Sequence, residues 1–214
     1  MPWLVAGAIA VVALIAILVV FKPGTGTGGA ASSGSPVAGA CPTAQPPALP
    51  AGETRTVTLN TPKGAIAIKV EADLSPIAAG NFVALASCGF YDGLVFHRTA
   101  TLQDGTPFVI QGGDPSANGT GGPGYTITDE PVTTTYKRGT VAMARSSAPN
   151  SVGSQFFIVL DDKDGAVLSR ANTYQIIGNV TTGMDVADAI YEASGGAENP
   201  ASPVPITTAT VANP

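Results

Sequence analysis

Histidine, cysteine and clustered positive charge are all scarce in this sequence of 214 residues, and each shortage excludes a kind of function. A single histidine, His97, and two cysteines, Cys41 and Cys88, cannot supply the ligand sets of the usual zinc sites. The chain has 10 Lys and Arg against 15 Asp and Glu, with no basic run, whereas nucleic-acid binding needs a cationic surface. We therefore expect no metal and no nucleic-acid partner.

Charge is absent from residues 2–21, and this apolar run predicts a membrane anchor. At about 1.5 Å per residue, a helix of this length extends roughly 30 Å, the thickness of a bilayer's hydrocarbon core. Trp3 and Lys22 lie at its two ends, where interfacial anchors are found. A cleaved signal peptide is the alternative, but no Lys or Arg precedes the run and the nearest Ala-x-Ala pattern, at residues 38–40, lies far downstream. We predict a transmembrane anchor at residues 1–22.

Gly, Ala, Ser, Thr and Pro dominate residues 23–52, which contain no charged side chain. Such a composition buries too little apolar surface to offset the chain entropy, so we predict a flexible tether that becomes stiffer at the Pro-rich residues 42–50. The folded domain is predicted at residues 53–214. We expect a single-pass protein of the cell membrane with an extracytoplasmic domain, because an N-terminal anchor followed by a tether and a domain usually faces outward. In that compartment Cys41 and Cys88 can form a disulfide, or they stay as two free thiols.

Short β-type segments and two helical segments fill the predicted domain. Ser75 and Pro76 favour the start of a helix that ends near Gly89, since Ser caps helices and Pro suits their first turn. A second helix is predicted from about Met184 to Glu192. Residues with strand propensity predict strands at 54–59, 65–70, 109–110, 139–144, 156–160, 174–177 and 206–211. Many short strands with two helices indicate an antiparallel barrel or sandwich capped by helices.

Two blocks, residues 91–98 and 108–115, bring a guanidinium, a long amide and large apolar side chains close together. An arginine beside a strand is usually a surface group. Arg98 is a stronger candidate for a functional residue because Phe108 and Gln111 can face it from an adjacent strand. The blocks contain no evident nucleophile or phosphate-binding motif, so a site built from them suits holding and polarising a peptide bond without cleaving it.

Other candidate groups have plainer interpretations. His97 is interpreted as a structural or substrate-lining residue, because a hydrolase built on it would lack a second catalytic group. The glycine-rich residues 119–124 lack the ending of a phosphate loop and are interpreted as a constrained loop. The pair Asp129–Glu130 is interpreted as a solvated turn. Successive strand residues face opposite sides, so one ring of the pair Phe156–Phe157 should enter the core while the other lines a pocket for a proline ring.

The order of these sequence blocks resembles that of the cyclophilins, a family of peptidyl-prolyl cis-trans isomerases. The resemblance covers residues 55–211 and rests on the blocks at 91–98, 108–115, 119–125, 139–144, 153–158, 177–180 and 183–184. It implies a mainly β fold, a closed eight-stranded antiparallel barrel capped by two helices. It also implies an isomerase that acts on X-Pro bonds of client polypeptides, assists protein folding and uses no cofactor. We expect a monomer.

The resemblance further implies the residues of the site. The catalytic set is Arg98, Phe108 and Gln111, with the arginine donating to the prolyl nitrogen as the bond twists. Leu168 is expected on a loop that leads to the strand at Tyr174. The implied substrate-binding residues are His97, Val109, Ala144, Arg145, Gln155, Phe157, Leu168 and Tyr174.

The sequence departs from the family pattern at several of these positions. Residues 99–107 make the connection after the arginine longer than the common family loop, and Val109 stands where many members have methionine. Arg145 replaces a usual asparagine and Tyr174 a usual histidine. Val167 falls where cyclosporin-sensitive members have tryptophan, which predicts weak cyclosporin binding. The alternative function is a non-catalytic cyclophilin-like chaperone or scaffold that binds Pro-containing segments.

Overall fold

The computed structural model describes residues 40–213, which form an eight-stranded antiparallel sheet and three helices. The predicted anchor at residues 1–22 and most of the predicted tether lie outside the described residues. Of the helices within residues 40–213, none has the length and apolar character needed to cross a membrane. The strands are β1 (Thr54–Thr61), β2 (Gly64–Glu71), β3 (Arg98–Thr101), β4 (Pro107–Gly112), β5 (Thr140–Met143), β6 (Phe156–Val159), β7 (Ile176–Thr182) and β8 (Thr208–Ala212), and the helices are α1 (Pro76–Ser87), α2 (Asp164–Ala171) and α3 (Met184–Ala193).

The strands are hydrogen-bonded in the order β3-β4-β6-β5-β7-β2-β1-β8. The prediction of a closed barrel was wrong for this ladder, because β3 and β8 are its two ends and do not pair with each other. The segments that precede them are joined instead, with the Gly93 amide donating to the Ile206 carbonyl at 2.7 Å and the Phe96 amide to the Val204 carbonyl at 2.9 Å. Backbone hydrogen bonds between these two segments thus connect the two ends of the sheet, although neither segment is part of a strand.

A third helix, α2, was not predicted from the sequence. It has only eight residues, lacks a side-chain cap and buries just Asp164 and Leu168, so its apolar periodicity is too short to recognise. Leu168, expected on a loop, therefore lies on a helix. The two predicted helices are present as α1 and α3, within a residue or two of the predicted bounds.

Two apolar clusters lie on opposite faces of the sheet. The main core packs Phe82 of α1 against Tyr91 and Phe156, with ring centroids 5.2 Å from Phe82 in both cases. Full burial of a side chain of this size contributes about 1.5–3 kcal/mol. Phe157 belongs to the second, smaller cluster. The alternation predicted for the pair of phenylalanines is therefore seen, and it directs one ring into the core and the next towards the outer face.

The N-terminus of α1 is capped by a distant carboxylate and not by Ser75. Ser75 makes no side-chain cap hydrogen bond. Glu130 accepts from the backbone amides of Ile77 and Ala78, both at 2.9 Å, and from the Gln175 side chain at 3.0 Å. An anion at this position satisfies amides that have no partner within the helix and complements the helix dipole. The interpretation of Glu130 as part of a solvated turn was wrong.

The residues just before Glu53 pack against the domain. Cys41 and Cys88 form a disulfide with a Cα–Cα distance of 5.1 Å, which fixes this segment to the end of α1. Leu49 is 7% exposed, and its amide donates to the Pro76 carbonyl at 2.9 Å. The packed part of the chain therefore begins before the predicted boundary at residue 53, because one buried leucine and a covalent link compensate for the Pro-rich composition.

Candidate active site

Three of the predicted site residues, Arg98, Gln111 and Phe157, lie in one row across the outer face of the sheet. Arg98 on β3 is the register partner of Gln111 on β4, Gln111 is opposite Phe157 on β6, and Phe157 is opposite Ala142 on β5. Ile176 on β7 follows as the partner of Ala142. Residues directly opposite each other on neighbouring strands project from the same face. The two sequence blocks that contain Arg98 and Gln111 are therefore brought together by strand pairing.

A continuous chain of hydrogen bonds begins in this row and runs beyond it. Arg98 Nη1 donates to Gln111 Oε1 at 3.3 Å, Gln111 Nε2 donates to Gln155 Oε1 at 2.9 Å, and Gln155 Nε2 donates to the Gly121 carbonyl at 2.9 Å. Each amide is oriented by the next group. The guanidinium therefore has a fixed neighbour on its Gln111 side.

Glu198 holds the other side of Arg98, and the sequence analysis did not identify it. Arg98 Nε donates to Glu198 Oε1 at 2.9 Å, and Arg98 Nη2 lies 2.8 Å from the same oxygen. Glu198 is located in the connection between α3 and β8, 100 residues from its partner. No local pattern around Glu198 could have revealed this contact.

The apolar end of the site is the second cluster. Leu168 of α2 is 5% exposed and Val109 3%, and both pack with Phe157, whose ring meets Tyr174 edge-on with centroids 5.3 Å apart. Phe108 is partly buried against the same cluster. The predicted residues Phe108, Val109, Phe157 and Leu168 are therefore gathered in one place, although Val109 lies beneath the surface and not at it.

Beside Gln111 the site opens into a cavity of ≈ 650 Å³. Gln155, Ala144 and Arg145 line it, together with the glycine-rich loop at residues 119–122. The side chain of Arg145 is only 11% exposed and is fixed by Asp129, 3.1 Å away, and by the Ser146 and Ala148 carbonyls. Arg145 therefore forms part of the cavity wall, and its guanidinium is already engaged by these neighbouring groups.

The buried carboxylate of Asp114 holds the glycine-rich loop in place by accepting hydrogen bonds from its backbone amides. The side chain, 1% exposed, accepts from the amides of Ser116 at 2.7 Å, Asn118 at 3.1 Å and Gly119 at 2.5 Å. Burial opposes ionisation, but these amides and that of Gly121 together hold the pKa of Asp114 below its ordinary value. A Cβ at Gly121 would collide with the Asp114 carboxylate, so glycine is required there. The loop that accepts from Gln155 is in this way held in place by one buried carboxylate.

His97 does not line the site, contrary to the prediction. Its side chain is 5% exposed, and neither ring nitrogen has a hydrogen-bond partner within residues 40–213. Burial lowers its pKa, with partial compensation from Asp114. Neighbouring residues of an extended chain face opposite sides, so the geometry that exposes Arg98 turns His97 inward.

Comparison with known proteins agrees with this geometry. A family model described as cyclophilin type peptidyl-prolyl cis-trans isomerase/CLD matches residues 56–211. The peptidyl-prolyl cis-trans isomerase CYP18-1 of Arabidopsis thaliana is 36% identical over 167 residues, covering 74% of this chain and 98% of the relative. The probable peptidyl-prolyl cis-trans isomerase A of Mycobacterium leprae is 37% identical, covering 74% of this chain and 93% of the relative.

Solved structures lead to the same family. A cyclophilin type peptidyl-prolyl cis-trans isomerase of Cryptosporidium parvum superposes with a TM-score of 0.64 at 28% identity, covering 75% of this chain and 99% of that one. The same protein, crystallised in the presence of the dipeptide Ala-Pro, gives a TM-score of 0.63. The chain belongs to the cyclophilin family and is a peptidyl-prolyl cis-trans isomerase.

Proposed function

We propose that Arg98 is the catalytic group and that it acts by stabilising the twisted X-Pro bond without forming a covalent intermediate. Rotation about a peptide bond breaks amide resonance, and the barrier is about 18–20 kcal/mol. As the bond twists, the prolyl nitrogen gains a lone pair that an N–H group can reach. A donor that interacts only near this geometry lowers the barrier without tightening the ground state. Arginine suits this role because it is always charged and rich in donors.

The position of Arg98 supports this role. Its side chain is 36% exposed at one end of the row, while its inner side donates to Gln111. The apolar cluster around Phe157 lies next along the row, so a proline ring held there would place its nitrogen towards the guanidinium. Contact with an apolar, water-poor wall strengthens a charged hydrogen bond. The row from Arg98 to Phe157 is the observation on which the proposal depends.

Proline-containing polypeptides are the proposed substrates, and assistance to protein folding is the proposed role. The cavity beside Gln155 and the glycine-rich loop has room for the chain that flanks the proline. The Cryptosporidium relative crystallised with Ala-Pro supports the substrate class. A non-catalytic chaperone is the less favoured alternative, because Arg98, Gln111 and Phe157 are all retained in their register.

We further propose that residues 1–22 anchor the protein in the cell membrane with the domain outside. The apolar run without charge supports the anchor. The Cys41–Cys88 disulfide supports an outward orientation, because disulfides persist in oxidising compartments. The clients would then be newly translocated polypeptides. Because both native cysteines are in the disulfide, labelling of a single cysteine introduced at an exposed position of the domain, with a membrane-impermeant thiol reagent in intact cells, would test this orientation.

Turnover of a Pro-containing tetrapeptide by the full chain tests the catalytic role. Arg98→Ala should lower kcat/KM about a hundredfold, the size expected when a preorganised donor is removed from a developing charge. Arg170→Ala is the matched control, because Arg170 is an exposed arginine of α2 without a hydrogen bond to Arg98 or Gln111 among residues 40–213, and it should leave turnover unchanged. Undiminished turnover by Arg98→Ala would contradict the mechanism.

A further inference from the structure

The guanidinium of Arg98 is held from two sides, and one of the two partners is charged. Nε donates to Glu198 Oε1 at 2.9 Å, with Nη2 2.8 Å from the same oxygen, so the carboxylate meets the side edge of the guanidinium. On the opposite side Nη1 donates to Gln111 at 3.3 Å. Arginine has five N–H donors, and these three contacts leave one donor on each terminal nitrogen available to a substrate.

Glu198 is presented to Arg98 from a fixed backbone. The Thr99 amide donates to the Glu198 carbonyl at 3.0 Å, and the Thr99 hydroxyl donates to the Ala197 carbonyl at 2.7 Å. The same hydroxyl lies 3.0 Å from the Ser194 hydroxyl. The connection before β8 is thus docked on the residue next to Arg98, along the outer edge of β3. The Glu198 side chain is itself 63% exposed, so its backbone and not its burial determines its position.

We propose that Glu198 is a positioning residue that orients Arg98 for the isomerisation. The inference rests on the proposed catalytic role of Arg98. A long arginine side chain has many rotamers, and ordering it on substrate binding costs entropy. Clamped by Glu198 and Gln111, the guanidinium is already oriented before the substrate arrives. Such preorganisation contributes at the transition state, and its loss lowers kcat more than it raises KM.

Three single variants of the full chain test the proposal in tetrapeptide turnover. Glu198→Ala should lower kcat/KM about three- to tenfold, mostly through kcat, as expected for an exposed ion pair that also restricts a catalytic side chain. Glu198→Gln should recover most of the activity, because its amide oxygen still accepts from Nε. Glu192→Ala is the matched control on α3, exposed and without a contact to Arg98 among the described residues, and should equal wild type.

A double-mutant comparison separates positioning from general damage to the connection. In an Arg98→Lys background, Glu198→Ala should change kcat less than twofold, because an ammonium has no side edge for the carboxylate to hold. An equal loss in both backgrounds, or a Glu198→Ala enzyme with wild-type kcat, overturns the proposal. The Nε–H resonance of Arg98 should also shift and exchange faster with water in Glu198→Ala. A wild type without turnover would instead refute the proposed function, and the positioning role with it.

Discussion

Asp164 is a buried carboxyl group whose ionisation should oppose folding. It is the first residue of α2 and is 0% exposed. Its Oδ2 accepts from the Asp161 amide at 2.9 Å, while Oδ1 has no hydrogen-bond partner in the described part of the chain. Burial is the main reason that its pKa is raised from 3.8 to about 6. The helix that supplies Leu168 to the apolar end of the site therefore begins at a destabilising group.

The direction of the pH effect follows from the two pKa values. Asp164 loses its proton near 3.8 in the unfolded chain but keeps it until about 6 in the folded protein. Between these values the unfolded state binds fewer protons, so the free energy of unfolding falls as the pH rises. A difference of about two pKa units corresponds to about 3 kcal/mol. The full cost is present above pH 6 and absent below the unfolded pKa.

Asp164→Asn should remove this cost while keeping an oxygen acceptor for the Asp161 amide. The new amide N–H groups have no evident acceptor, and leaving a buried donor unpaired costs about 1–2 kcal/mol. We expect a net gain of about 1–2 kcal/mol at pH 7.5, which corresponds to a melting temperature roughly 2–8 °C higher. At pH 4 the variant should be no more stable than wild type.

Thermal unfolding from pH 4 to pH 8, followed by near-ultraviolet circular dichroism, measures this difference. Asp185→Asn is the control, because Asp185 is an exposed aspartate in the first turn of α3. It should not reproduce the pH-dependent gain. If wild type and Asp164→Asn differ by the same amount at pH 4 and pH 7.5, the reasoning from burial is refuted.

Three further predictions concern the segment before β1, the capping of α1 and the pocket. Replacing Cys41 and Cys88 by serine should lower the free energy of unfolding in urea by about 2–4 kcal/mol, because the disulfide closes a long loop with a sequence separation of 47. Turnover should change less than twofold. Glu130→Ala should cost about 1–2 kcal/mol in the same assay, more than Glu192→Ala, because two helix amides lose their acceptor. Cyclosporin should bind weakly in calorimetry, and Val167→Trp should strengthen it; unchanged binding would contradict the assignment of Val167.

The parts of the site that the sequence predicted are those encoded by nearby residues. Arg98 and Gln111 belong to two consecutive strands joined by a hairpin, so their pairing follows from a local arrangement. Phe157 could be placed on the pocket side because strand alternation separates it from Phe156. The same alternation, applied one residue before Arg98, would have predicted that His97 turns inward. Its prediction as a substrate-binding residue followed the family motif and not this rule.

The parts that the sequence could not predict are tertiary contacts of charged groups on irregular segments. Glu130 caps a helix more than fifty residues before it, and Glu198 meets an arginine 100 residues away. Neither carboxylate belongs to a periodic element, so no spacing rule indicates its partner. Helix α2 was missed for a related reason, since only two of its residues are buried and Asp164, one of them, is polar.

The row across the sheet shows what Glu198, one of these unpredicted groups, adds to the site. Along it, the side chains change from an ion pair at Glu198 and Arg98, through the amide of Gln111, to the apolar residues Phe157 and Ala142. A proline ring packed at the apolar end would leave its nitrogen at the boundary between the two environments. With a proline ring packed there, less water would compete for the Arg98 donor, and Gln111 and Glu198 both limit the motion of the guanidinium. Under the proposed mechanism, this arrangement would favour twisting of the bond over tight binding of either planar isomer, as expected of a catalyst that acts by stabilising a transition state.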